Sequence, residues 1–97
     1  MSQPELVPLQ KIILATARRY PARFSRTGLA QMLAAAKSWQ DTSYPEYGRL
    51  RGYRRKDVLF QINVLLQQGY LALAGPHNLL VLSSRGEASY LGQGERP

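Results

Sequence analysis

One stretch limits the possible folds more than any other. From Arg54 to Gly86 the chain reads RRKDVLFQINVLLQQGYLALAGPHNLLVLSSRG. Val58, Leu59, Ile62, Leu65 and Leu66 recur at i, i+1, i+4, i+7 and i+8, the stripe of a helix buried on one side. Gly69 follows the last apolar turn, where a left-handed cap costs glycine least. Tyr70-Leu71-Ala72-Leu73 and Leu79-Leu80-Val81-Leu82 read as two strands. Gly75-Pro76-His77-Asn78 between them is turn chemistry. The spacing predicts a helix, a glycine stop and a two-stranded hairpin, and three basic residues, Arg54, Arg55 and Lys56, open that helix.

The preceding chain supplies two more helices. Residues 1–7 read as a flexible lead-in, and Pro8 suits a first helical turn. Leu9, Ile12, Ile13, Thr16 and Tyr20 trace one face, and Pro21 stops the helix. Lys11, Arg18 and Arg19 fall on its polar side, as a solvated face. Arg23-Phe24 is an extended link and a candidate first strand of the small sheet. Ser25 is an N-cap for a second helix from Arg26 to about Lys37, with Leu29, Met32, Leu33 and Ala36 as its apolar face.

Ser38 to Gly52, SWQDTSYPEYGRLRG, has no period and is long for a connection in so small a domain. A helical turn around Tyr44 to Arg49 is expected there. Trp39, Tyr44, Tyr47 and Tyr53 are either pins that hold this loop on the core or stacking groups for bases. After the hairpin, Ser83-Ser84 caps a final short helix, Arg85 to Leu91, with Tyr90 and Leu91 folding back on the core. Residues 92–97 read as a linker-like tail. The expected class is α+β and mostly helical. A helix followed by a two-stranded wing is how a winged helix-turn-helix ends. The domain over 8–91 is therefore expected to have a three-helix core, a short β-hairpin wing and a final short helix.

Charge narrows the function. Thirteen Lys+Arg against six Asp+Glu in 97 residues give a net charge of +7, which favours a polyanionic partner. Ten of the thirteen are arginine, whose planar fork suits phosphate. Arg49, Arg51, Arg54, Arg55 and Lys56 cluster at the start of the third helix without an acid among them. Cations disfavour a helix N-terminus unless an anion such as phosphate occupies it. With no cysteine there is no disulfide and no thiolate metal site.

Catalytic equipment is missing. His77 is the one histidine and has no acid near it in sequence. No phosphate-binding glycine loop or metal cluster is present, so no enzyme activity, cofactor or metal is expected of the chain by itself. No apolar run approaches the roughly 18–20 residues of a membrane span, and residues 1–7 do not read as a signal peptide. A cytoplasmic, nucleoid-associated monomer is expected. At the tip of the turn, His77 is either a solvated turn residue or a probe that stacks on a base.

With these pieces in place, the chain resembles the RQC winged-helix domain of RecQ-family DNA helicases. The resemblance rests on Arg23-Phe24-Ser25-Arg26-Thr27, on Leu33 followed by Lys37-Ser38, on Tyr47-Gly48, on LLQQGYL from Leu65 to Leu71, and on Leu82-Ser83-Ser84-Arg85-Gly86. It implies binding to duplex DNA at a junction with single strands, beside a helicase core in cis, in DNA replication, recombination and repair. It implies that phosphates are held by Ser25, Arg26, Thr27 and Arg54 to Lys56. Lys37, Arg49 and Arg51 complete the candidate phosphate set. The resemblance also implies that Pro76, His77 and Asn78 form the wing tip that parts strands.

Departures from the family pattern are visible. Ala34-Ala35-Ala36 replaces a stretch that carries an arginine, and the usual serine cap of the third helix falls on Arg54. The zinc-module cysteines and the ATPase motors are absent, so the chain is either an excised domain or a stand-alone relative. Two other readings compete. A winged-helix transcription regulator would read bases with Phe60, Gln61, Asn63 and Gln67 and would be a dimer. A protein-interaction winged helix would use an apolar patch at Phe60 and Val64.

Overall fold

The computed structural model describes residues 7–88. The lead-in over 1–6, the packing of Tyr90 and Leu91, and the tail over 92–97 lie outside the described residues. Helix α1 spans Pro8–Arg19 with Val7 as its N-cap. Gln10 reaches back to accept from the Val7 amide at 3.2 Å. The buried residues of α1 are Ile13, Leu14, Thr16 and Ala17. Its inward face is thus turned from the predicted one, and Leu9, Ile12 and Tyr20 pack at the core margin. Leu14 and Ala17, absent from the predicted face, are buried in the core instead.

The link after α1 is not a regular strand. The Ala22 amide donates to the Leu80 carbonyl at 2.9 Å, and the Leu80 amide donates to the Phe24 carbonyl at 2.7 Å. Two link residues share the bonds that a ladder would give to one, and Ala22 has a φ of 56°, so pairing cannot propagate. Phe24 is buried in the core.

Helix α2 spans Arg26–Leu33 and does not reach Lys37. The Ser25 hydroxyl caps it by accepting from the Gly28 amide at 3.0 Å. Its end is a left-handed reversal. Ala35 has a φ of 56°, its amide donates to the Met32 carbonyl at 3.3 Å, and Ala36 donates to Gln31 at 2.9 Å. The chain returns to the same end when Gly48 and Leu50 donate to the Met32 and Leu33 carbonyls at 3.1 and 2.8 Å. These bonds occupy carbonyls that a longer helix would need, so Ala36 and Lys37 lie beyond it.

The connection from Tyr44 to Tyr53 winds as turns closed by i to i+3 bonds on alternate residues, without a regular helix, and buries Leu50. Trp39, Tyr44 and Tyr47 pack on the core. The rings of Tyr20, Phe24, Trp39 and Tyr44 meet at centroid distances of 5.0 to 6.0 Å. Three of the four loop aromatics therefore pin the loop, while Tyr53 stays 50% exposed.

Helix α3 spans Arg55–Gln67 and buries Val58, Ile62 and Leu65. Gly69, at a φ of 87°, lets the Tyr70 amide close the helix on the Leu65 carbonyl at 2.9 Å. Tyr70 therefore serves the cap rather than the hairpin, and strand β1 begins one residue later than expected, at Leu71–Ala74. Strand β2 spans Leu79–Leu82, antiparallel to β1, with Leu71 opposite Leu82 and Ala74 opposite Leu79. Helix follows again over 84–88, capped by the Ser83 hydroxyl, which accepts from the Gly86 amide at 3.0 Å. The result is a small α+β unit in which three helices share one core and a two-stranded hairpin leans on it through Leu71 and Leu80. No described helix is long and apolar enough to cross a membrane.

Candidate nucleic-acid interface

The start of α3 is the most distinctive charged feature. Arg54 is its N-cap, in extended conformation, and no side chain caps the helix. The Arg54 carbonyl accepts from the Asp57 and Val58 amides at 3.0 and 3.1 Å. Arg54, Arg55 and Lys56 are all exposed, and none of them forms an ion pair among the described residues. Asp57, in the first turn, is the one acid beside them and offsets part of their cost to the helix.

The other candidate residues divide by position. The Ser25 hydroxyl is occupied as the α2 cap, and Thr27 is exposed beside it. Arg26 Nη1 donates to Asn63 Oδ1 of α3 at 3.4 Å, which draws the α2 start onto the α3 surface. Arg51 lies over the Tyr47 ring, 6.0 Å from its centroid, and is folded against Gly48, where a Cβ would lie 2.8 Å from its Nη2. Arg49 instead lines a depression of about 530 Å³ with Lys11, Arg18 and Arg19 of α1. Within the basic run, Arg49 thus faces α1, while Arg54, Arg55 and Lys56 open α3. Lys37 is exposed beyond the end of α2.

Pro76, His77 and Asn78 are exposed at the tip of the hairpin. Positive φ values of 73° at Gly75 and 54° at Asn78 make the reversal, closed by the Asn78 amide donating to the Gly75 carbonyl at 3.3 Å. Four strand residues, at about 3.4 Å each, carry this tip roughly 14 Å from the base of the hairpin.

Sequence reasoning missed the acids that organise the α1 side. Glu46 is buried and accepts from Arg19 Nη1 at 3.1 Å and from the Tyr20 hydroxyl at 3.0 Å. Arg18 Nε pairs with Glu87 at 3.0 Å. Arg18 and Arg19 are thus partly neutralised rather than simply solvated. The available signal was Glu46 itself, the lone acid between residues 42 and 56. Burial raises the Tyr20 phenol above its ordinary value, helped by the hydrogen bond to Glu46 and by the charge of Glu46. Hydrogen bonds from Ser43 lower the Asp41 carboxyl. Arg18 and Arg19 are therefore paired with acids, whereas Arg54, Arg55 and Lys56 form no ion pair among the described residues.

Of the residues first considered for base reading, Gln61 is turned toward α1, where its Oε1 accepts from Gln10 at 3.1 Å. Phe60, Asn63 and Gln67 are exposed and Val64 is half-buried. Among the described residues no group of three or more His, Cys, Asp or Glu is placed to hold a metal. No protein-family model matches the chain, and no curated protein matches it in sequence.

Proposed function

We propose that the chain is a DNA-binding winged helix-turn-helix of RQC type. In this reading α3 is the helix presented to DNA and the β1–β2 hairpin is the wing. The domain grips duplex phosphates at a junction and serves a helicase core. The observation that carries the reading is the exposed set Arg54, Arg55 and Lys56, without an ion pair among the described residues, at a helix start that no side chain caps. An oxyanion there meets both the side-chain cations and the free N–H groups of the first turn. Arg26, held by Asn63 at the neighbouring helix start, extends the same grip. His77 at the hairpin tip meets the terminal base pair, while Ser25 and Thr27 place the α2 amides toward the backbone. The bound form is a monomer.

Titration of affinity against salt tests this directly. With five or six phosphates neutralised, the log–log slope on duplex DNA is expected to be roughly −4 to −6, about −0.9 per contact. Affinity that hardly changes between low and moderate salt overturns the proposal.

A further inference from the structure

Phe60 stands at the centre of the solvent face of α3. At 3.6 residues per turn it lies opposite Val58, Ile62 and Leu65, the buried residues of that helix. It is 62% exposed and does not belong to the set of side chains packed on the core. Lys56 precedes it by one turn and Asn63 follows it by one turn, so all three share a face. Asn63 in turn holds the Arg26 guanidinium at 3.4 Å. The α2-facing border of the ring is therefore cationic at both ends. Asp57 and Val64 lie on the other border.

Two amide side chains of α3 are already engaged within the fold. A bidentate contact from Asn to adenine uses the side-chain carbonyl as acceptor for the adenine amino group. The Asn63 carbonyl accepts from Arg26 and the Gln61 carbonyl from Gln10, so a base would share each oxygen with a donor of the fold. An open aromatic ring between cations suits a different ligand. A nucleobase stacks on the ring whatever its sequence, and the flanking phosphates meet the cations.

We propose that the α3 face centred on Phe60, with Lys56 and Arg26 beside it, stacks an unpaired base of a single-stranded DNA arm. This rests on the DNA-binding reading above and specifies which part of a junction α3 receives. Duplex is then left to the helix starts and the wing.

The test compares the full chain with Phe60→Leu and Phe60→Tyr on three labelled DNAs: oligo(dT), a fork with one single-stranded arm, and a blunt duplex. Because the ring is exposed, Phe60→Leu is expected to fold as the parent does, which a thermal melt checks. It is expected to lose roughly tenfold in affinity for oligo(dT) and the fork, within the range one stacked base supplies. Blunt-duplex affinity is expected to change less than twofold, and Phe60→Tyr is expected to bind all three DNAs as the parent does. In Phe60→Trp, oligo(dT) is expected to quench the added indole emission. An unchanged oligo(dT) affinity in Phe60→Leu overturns the inference, and so does an equal loss on blunt duplex. Either result leaves the general DNA-binding reading standing. A parent chain with no salt-dependent binding to any of the three DNAs overturns that reading first.

Discussion

Gly86 packs its Cα directly against the main-chain carbonyl of Tyr70. A Cβ at Gly86 would overlap the Tyr70 oxygen and lie 2.9 Å from its carbonyl carbon. The same oxygen accepts from the Ser83 amide at 3.1 Å, and the Ser83 hydroxyl donates to the Gly69 carbonyl. One short cluster of backbone thus ties the end of α3, the base of the hairpin and the helix after it. Because the obstacle is main chain rather than a flexible side chain, Gly86→Ala is expected to destabilise the domain by about 2–3 kcal/mol. For a domain of this size that lowers Tm by roughly 10–20 °C in a thermal melt. Gly52→Ala is the control, since nothing lies within 4 Å of a Cβ there. It is expected to be neutral or mildly stabilising.

Helix ends supply a second prediction, of opposite sign. Gly69 and Ala35 occupy equivalent left-handed positions after α3 and α2, at φ values of 87° and 56°. Alanine is strained there and glycine is not. Ala35→Gly is therefore expected to stabilise by about 0.5–1 kcal/mol, the strain relieved outweighing glycine's greater chain entropy. Gly69→Ala is expected to cost about 1 kcal/mol. Denaturant midpoints at constant m-value measure both. An Ala35→Gly midpoint below the parent's contradicts the assignment of strain.

The same two helix ends show what local sequence carries. Gly69 marked the end of α3 because glycine there is the common solution. The end of α2 was hidden because alanine does the same job, and because its carbonyls are claimed by Gly48 and Leu50 from far along the chain. Stripe residues Val58, Ile62 and Leu65 were legible as periodicity. Phe24 and Leu50 were not, because each sits in irregular backbone and is buried by tertiary packing alone. At the candidate interface, Arg54, Arg55 and Lys56 were legible as charge. The diversion of Arg49 toward α1 and of Arg51 onto Tyr47 depends on the path of the 44–53 turns, which no pattern of residue types records.

The Tyr20–Glu46 pair sets a pH dependence. Burial, then the hydrogen bond and charge of Glu46, raise the phenol above its ordinary value in the folded protein. The folded state therefore holds this proton more firmly than the unfolded chain does. The stability it contributes is full below the ordinary tyrosine range near pH 10 and is lost as pH rises through the raised folded value. Tyr20→Phe removes the titrating group. Its unfolding free energy is expected to fall less steeply between pH 9 and 11 than the parent's, although it starts lower at pH 7 because Glu46 has lost a donor. Parallel slopes in denaturant titrations across that range refute the assignment.

In the proposed reading grip and probe are separable by mutation, because Arg54 to Lys56 open α3 and His77 sits on the hairpin turn. In the proposed reading Arg54, Arg55 and Lys56 meet phosphates common to every DNA, so replacing all three by alanine is expected to weaken duplex, fork and single strand alike. It should also flatten the salt slope by roughly 2.7, near 0.9 for each contact removed. Arg49→Ala removes a cation that faces α1, so it is expected to change duplex affinity less than Arg55→Ala does. His77 lies at the exposed turn, on a different element from the cations that open α3. His77→Ala is expected to keep blunt-duplex affinity within twofold and to reduce the preference for a fork over a duplex. The measurement is the ratio of fork to duplex dissociation constants at one salt concentration. A ratio unchanged in His77→Ala removes the wing tip from strand recognition. If the triple alanine variant changes the ratio instead, the helix starts discriminate between DNA structures, and the division of labour between grip and probe is reversed.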